Sequence, residues 1–123
     1  MTGMIGRLRS VVIDCPDPRA LAAFYSALLG LPLDEEGTDG DRWVVISGSG
    51  HRLAFQQAFT LRPPTWPDPA VPQQIHLDVD VDDVEAAEKQ VLALGARRLP
   101  GEGDDFRVYA DPAGHPFCLI FGA

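Results

Sequence analysis

The stretch Asp17–Gly30 (DPRALAAFYSALLG) aligns with Asp82–Gly95 (DDVEAAEKQVLALG) at an offset of 65. Asp17/Asp82, Ala22/Ala87, Leu29/Leu94 and Gly30/Gly95 are identical across it. The next stretch aligns at an offset of 64, where Gly37/Gly101, Asp41/Asp105, Val44/Val108, Gly50/Gly114 and His51/His115 coincide. Matches in one order at a nearly constant offset indicate two copies of one module. The full 123 residues suit a single domain. Its expected parts are module 1 over about residues 7–58, a Pro-rich connector over 59–73, and module 2 over about 74–122.

Each module predicts the same element order. In the first, Arg9–Cys15 is a β-branched run and reads as a strand. Asp17 caps a helix that Gly30 ends, with Pro32 just beyond. Leu21, Phe24, Tyr25, Leu28 and Leu29 recur at helical spacing on one face. A strand around Leu33, a strand Arg42–Ser47, the turn Gly48-Ser49-Gly50 and a strand Arg52–Ala58 complete β-α-β-β-β. In the second, Ile75–Val81 alternates apolar and polar residues. A helix from Asp82 or Asp83 to Gly95 follows. Then come strands near Arg97–Leu99, at Phe106–Ala110 and at Pro116–Phe121, with Asp111–Gly114 as a turn. The five prolines of Phe59–Gln73 predict a stiff, extended connector.

Alternation divides each strand into two faces. Val11, Ile13, Val44, Ile46, Leu53, Phe55, Leu77, Val79, Val108, Ala110, Phe117 and Leu119 are expected against the helices. Ser10, Asp14, Trp43, Val45, Ala54, Gln56, His76, Asp78, Arg107, Tyr109 and Cys118 fall on the other face. That second set is too polar for a core and too rich in Trp, Tyr and His for a plain solvated surface. A concave ligand cavity combines such apolar walls with a few polar groups.

Composition excludes several partners. The net charge of −8 leaves no basic footprint for nucleic acid or an anionic membrane. It favours a cationic or neutral aromatic ligand over an anionic one, although Arg107 argues the other way locally. No run of about 18 apolar residues occurs, and the start MTGMIGRLRS lacks the apolar core of a secretory signal. Two cysteines without a CxxC make no disulfide framework, so a reducing cytoplasm is the expected location.

Three segments, DCPDPRALAAFYSALLGLPL at 14–33, QQIHLDVDVDDVEAA at 73–87 and YADPAGHPFCLIFG at 109–122, give the chain a wider resemblance. It resembles the vicinal oxygen chelate superfamily, which includes glyoxalase I, extradiol dioxygenases, fosfomycin-resistance enzymes and bleomycin-binding proteins. The run TWPDPAVPQQIHLDVDVDD is similar to the narrower glyoxalase-like domain group. The resemblance implies an α+β fold of two βαβββ modules whose curved mixed sheets surround a cavity, and a homodimer. It also implies four metal-ligand positions, near Ser10, Gln56 (or Ala54), His76 and Cys118. Of these His76 alone keeps a family ligand type; Ser is a poor ligand, Gln a weak one, and Cys replaces a carboxylate. The missing carboxylate also removes the usual general base. The leading expectation is therefore a small-molecule binder with a degenerate metal site, akin to resistance-type sequestration. No obligatory metal or other cofactor is expected, although a divalent metal remains open. The alternative is a divergent lyase, isomerase or dioxygenase that uses His76 with Asp78 or Cys118, with or without a metal recruited by substrate.

The candidate catalytic residues are His76, Asp78 and Cys118; the candidate ligand-binding residues are Ser10, Trp43, Gln56, His76, Arg107, Tyr109 and Cys118. His76 is a ligand, a base or a binding partner, or else a polar residue bonded to a neighbour. Cys118 is a nucleophile if His76 supports its thiolate, or else an inert buried thiol. Asp78 substitutes for the missing carboxylate, or is solvated near a strand end, and Asp14 has the same two readings. Gln56 orients a ligand through its amide or is structural. Trp43, Tyr109 and Arg107 line the pocket, Arg107 offering a planar fork to carboxylate or phosphate; alternatively Trp43 and Tyr109 close a dimer interface. His51 and His115 occupy equivalent turns, where side chains are usually solvated. Trp66 covers the cavity or packs on a neighbour, and Asp82-Asp83 marks a helix N-terminus.

Overall fold

The structure, a computed structural model, describes residues 5–122. The chain divides between Phe59 and Thr60 into two compact units.

In the first unit, β1 (Val11–Cys15), α1 (Pro18–Leu29), β2 (Trp43–Gly48) and β3 (His51–Gln57) form a three-stranded sheet in the order β1-β3-β2 with one helix. β1 runs parallel to β3, and β2 runs antiparallel to it. Asp17 caps α1 by accepting from the Ala20 backbone N–H, and Gly30 ends it at a left-handed φ of 70°. Leu21, Phe24 and Tyr25 are buried along one face of α1. Tyr25 stacks on Phe55 of β3 with ring centroids 5.8 Å apart. Burying each such side chain stabilises the unit by about 2 kcal/mol. Ser49 and Gly50 both have positive φ, the two-residue turn that suits the twist of the β2–β3 hairpin.

The strand expected around Leu33 is reduced to one antiparallel bridge, Leu33 to Ile46. Pro32 lacks an N–H and contributes only its carbonyl, which accepts from Ser47 N–H at 3.0 Å. The chain then turns away, and Thr38 Oγ1 accepts from Val45 N–H at 3.0 Å.

In the second unit, β4 (Leu77–Asp80), α2 (Val84–Ala93), β5 (Arg97–Glu102), β6 (Phe106–Ala110) and β7 (Pro116–Ile120) form a four-stranded sheet, β4-β7-β6-β5, with one helix. β4 runs parallel to β7, as β1 does to β3, and β6 runs antiparallel to β7, as β2 does to β3. The duplicated topology is thus visible in both sheets. Each unit carries its own open mixed sheet, as expected of the two modules. β4 is shorter than its alternation predicts. Asp83, rather than Asp82, caps α2 by accepting from Ala86 N–H.

The connector is not extended. Thr65 closes a compact loop: its N–H donates to Val71 O at 2.8 Å, and its hydroxyl accepts from Val71 N–H at 2.9 Å. Trp66 donates its indole N–H to Pro100 O at 3.0 Å and so packs on β5. Prolines stiffen this segment, but they shape a folded loop within the second unit.

Candidate functional site

His76, Asp78 and Cys118 come together in the second unit. Asp78 lies directly beside Cys118 in the parallel β4–β7 ladder, and His76 stands one residue ahead of β4. One donor atom from each of the three lies within 4.8 Å of the other two. His76 Nε2 is 3.6 Å from Asp78 Oδ1, and both side chains are exposed. An exposed pair at that distance contributes little stability. Burial pushes the Cys118 thiol up to about 11, helped by the neighbouring Asp78 carboxylate. Cys118 is therefore protonated near neutral pH in the absence of a group that stabilises its thiolate. An imidazole nitrogen, a carboxylate oxygen and a sulfur within this span fit a divalent metal ion. Counting at the four family positions leaves one good ligand; the structure adds Asp78, two residues along the same strand face, and brings Cys118 to it.

In the first unit, Gln56 sits on the central strand between Asp14 of β1 and Trp43 of β2. These three share the sheet face opposite Phe55 and α1. Ser10 is half-buried one residue ahead of β1. The spacing rule thus assigned the faces of this unit as found.

Arg107 and Tyr109 require a correction. Val108 pairs with Cys118, while Tyr109 pairs with Phe117 and Arg107 with Leu119. Directly opposed residues share a face, so Arg107 and Tyr109 lie on the helix side, and Val108 and Ala110 lie on the side of Cys118 and Asp78. The cause is α2, which buries Val91 but also brings the Glu88 carboxylate to this face of the sheet. Tyr109 Oη donates to Glu88 Oε1 at 2.7 Å, Arg98 Nη1 donates to the same oxygen at 2.7 Å, and Arg107 Nη1 lies 3.5 Å from it. Arg107 also pairs with Glu85 at 2.6 Å. The hydrogen bond from Tyr109 holds the Glu88 carboxyl below its usual range, with the Arg98 and Arg107 guanidiniums adding to the effect. Burial, together with Glu88, pushes the Tyr109 phenol up to about 12. Sequence reading missed this cluster; its only signal was the Glu85/Glu88 spacing of one helical turn on α2.

The two turn histidines differ. His51 is exposed, whereas His115 is 3% exposed, against the expectation of solvation. The reason lies in Asp111, whose Oδ1 accepts from the backbone N–H groups of Ala113 and His115 and folds the turn inward.

The family model for the glyoxalase-like domain matches residues 10–120. No curated protein sequence matches the chain. Among solved structures, a glyoxalase/bleomycin resistance protein/dioxygenase family enzyme from Burkholderia phytofirmans PsJN is similar at 19% identity and TM-score 0.71, covering 91% of this chain and 95% of its own. The fosfomycin resistance protein FosX from Mesorhizobium loti is similar at 15% identity and TM-score 0.70, covering 98% and 94%. A possible glyoxalase from Bacillus cereus is similar at 16% identity and TM-score 0.70, covering 95% and 99%. With the duplicated β-α-β-β topology and a family match over nearly all its length, this chain belongs to the glyoxalase-like domain family.

Proposed function

We propose that this chain binds a small organic ligand on the sheet face that carries His76, Asp78 and Cys118, as a resistance-type sequestering protein. One observation supports the reading most: an imidazole, a carboxylate and a thiol converge within 4.8 Å on the face opposite α2. Binding sites use a few such convergent polar groups to orient a ligand. Similarity to a fosfomycin resistance protein agrees with a resistance role. The acidic net charge of −8 favours a cationic or neutral aromatic ligand. A cytoplasmic homodimer belongs to the same reading; a chain with two cysteines and no CxxC suits a reducing compartment.

A thermal-shift screen of cationic and neutral aromatic compounds tests it. A ligand at about a hundred times its Kd stabilises the folded state by about 2.7 kcal/mol, a shift of several degrees. The shift is expected to vanish in His76→Ala. Equal shifts in wild type and His76→Ala would remove this face as the site.

The same three side chains favour a second reading, a divergent lyase, isomerase or dioxygenase. His76, Asp78 and Cys118 would hold a divalent ion there, and such an ion supplies Lewis-acid polarisation of a substrate oxygen. Full turnover in His76→Ala would eliminate this alternative.

A further inference from the structure

We infer that His76, Asp78 and Cys118 form a thiophilic metal site that selects zinc or cobalt over manganese and magnesium, with the Cys118 sulfur as a direct ligand. The inference rests on the face assigned above to ligand binding, but not on an organic ligand occupying it.

Distance is the first support. Two donors of one tetrahedral zinc, each about 2.1 Å from it, stand roughly 3.4 Å apart. His76 Nε2 and Asp78 Oδ1 are 3.6 Å apart, and Cys118 Sγ lies within 4.8 Å of a donor atom of each residue. A sulfur donor stands slightly farther from the ion, at about 2.3 Å. Small side-chain rotations complete the approach, and the exposed His76 and Asp78 are free to make them.

Donor chemistry is the second. Magnesium demands near-octahedral oxygen coordination at about 2.1 Å, and manganese likewise favours oxygen. Only Asp78 offers oxygen here. Sulfur and imidazole are borderline-to-soft donors, and zinc also stands above manganese in general affinity for such sites. Three protein ligands leave a fourth position open, the arrangement of zinc sites that bind a further molecule rather than of closed structural ones.

The test is titration of chelator-stripped full-length protein with cobalt(II), read by absorption. The expected result is saturation at one equivalent per chain with a thiolate-to-cobalt charge-transfer band in the near ultraviolet. Zinc should displace the cobalt, while a thousandfold excess of manganese or magnesium should not. Cys118→Ser should lose the band and weaken zinc binding at least about tenfold, the lower end of the cost of damaging a metal site. Cys15→Ala should keep both. His76→Ala, checked for folding by circular dichroism, should weaken zinc while keeping any residual band. Cobalt bound without a charge-transfer band, a band that survives Cys118→Ser, or manganese displacing zinc would each overturn the inference. Running the ligand screen on the same stripped protein separates the two readings. Ligand shifts without metal binding overturn the metal site alone; a charge-transfer band without ligand shifts supports it and counts against sequestration.

Discussion

Tyr109 stands across the β6–β7 ladder from Phe117 and donates its hydroxyl to Glu88 of α2 at 2.7 Å. That bond ties the helix to its sheet where the first unit uses an aromatic stack, Tyr25 on Phe55. Hydrogen bonds to a charged partner contribute about 1.5–3 kcal/mol, and Arg98 still holds Glu88 when the phenol is lost. Tyr109→Phe is therefore expected to destabilise the protein by about 1–2 kcal/mol in urea denaturation. Cobalt titration should be unchanged in that variant, because Tyr109 lies on the opposite face from Cys118.

The same pair contributes to the pH dependence of stability. The Tyr109 phenol is raised in the folded state to about 12 from an ordinary 10.0, so the folded form holds its proton while the unfolded form releases it. Its contribution is fully present below pH 10 and is lost as pH rises toward 12. Glu88 has the opposite sense. Its carboxyl is lowered from an ordinary 4.5, so its contribution is present above that value and is lost as pH falls through the folded value. Denaturation midpoints across pH should fall off at both ends. Tyr109→Phe should flatten the alkaline limb, and an unchanged alkaline limb would mean that the phenol is not the group responsible.

Cys118 should react slowly with iodoacetamide near neutral pH. Its thiol is pushed up to about 11, and the thiolate is the reactive form. The alkylation rate, followed by mass spectrometry of the metal-free protein, should keep climbing past pH 9 rather than level off there. Cys15, fully buried in β1, should stay unmodified until the protein unfolds. A plateau between pH 8 and 9, the range of an ordinary thiol at about 8.5, would contradict this environment.

Gly114 is held at φ +99°, and a Cβ there would stand 2.8 Å from Pro63 Cβ. Gly114→Ala combines backbone strain of about 1–3 kcal/mol with a clash against the connector loop. A melting temperature several degrees lower is expected. Gly50→Ala offers the contrast: positive φ but open space, hence the smaller loss.

Local signals carried the fold. Asp17 and Asp83 cap their helices, Gly30 ends one of them, and Ser49-Gly50 turn the hairpin, each by chemistry confined to a few residues. Strand phase in β6 was not legible. FRVYA offers apolar side chains at 106, 108 and 110, which invites an apolar-in assignment. Its true phase follows from Glu85 and Glu88 on α2, because amphipathic Arg and Tyr side chains bury their stems against the sheet while their polar ends meet carboxylates. The Val44/Val108 identity reinforced the error. Val44 shares a face with Phe55 beneath α1, and Val108 lies on the face away from α2. His76 and Asp78 were readable as neighbours from their period of two. Their meeting with Cys118 depends on the β4–β7 pairing, which lies some forty residues away along the chain. The connector misled because its prolines describe stiffness, whereas the Thr65–Val71 closure is a matter of hydrogen bonding.

The β4–β7 ladder gives the three candidate ligands unequal freedom. Asp78 and Cys118 are clamped side by side by parallel backbone pairing, so their separation is a property of the sheet. His76 precedes that pairing, one residue ahead of β4. The strand backbones beneath the carboxylate and the thiol form a fixed jaw, and the backbone beneath the imidazole a moving one. An incoming ion or ligand would be gripped by a swing of residues 75–76 while the sheet stays still, and amide exchange in that short stretch should slow on binding while that of β7 stays constant.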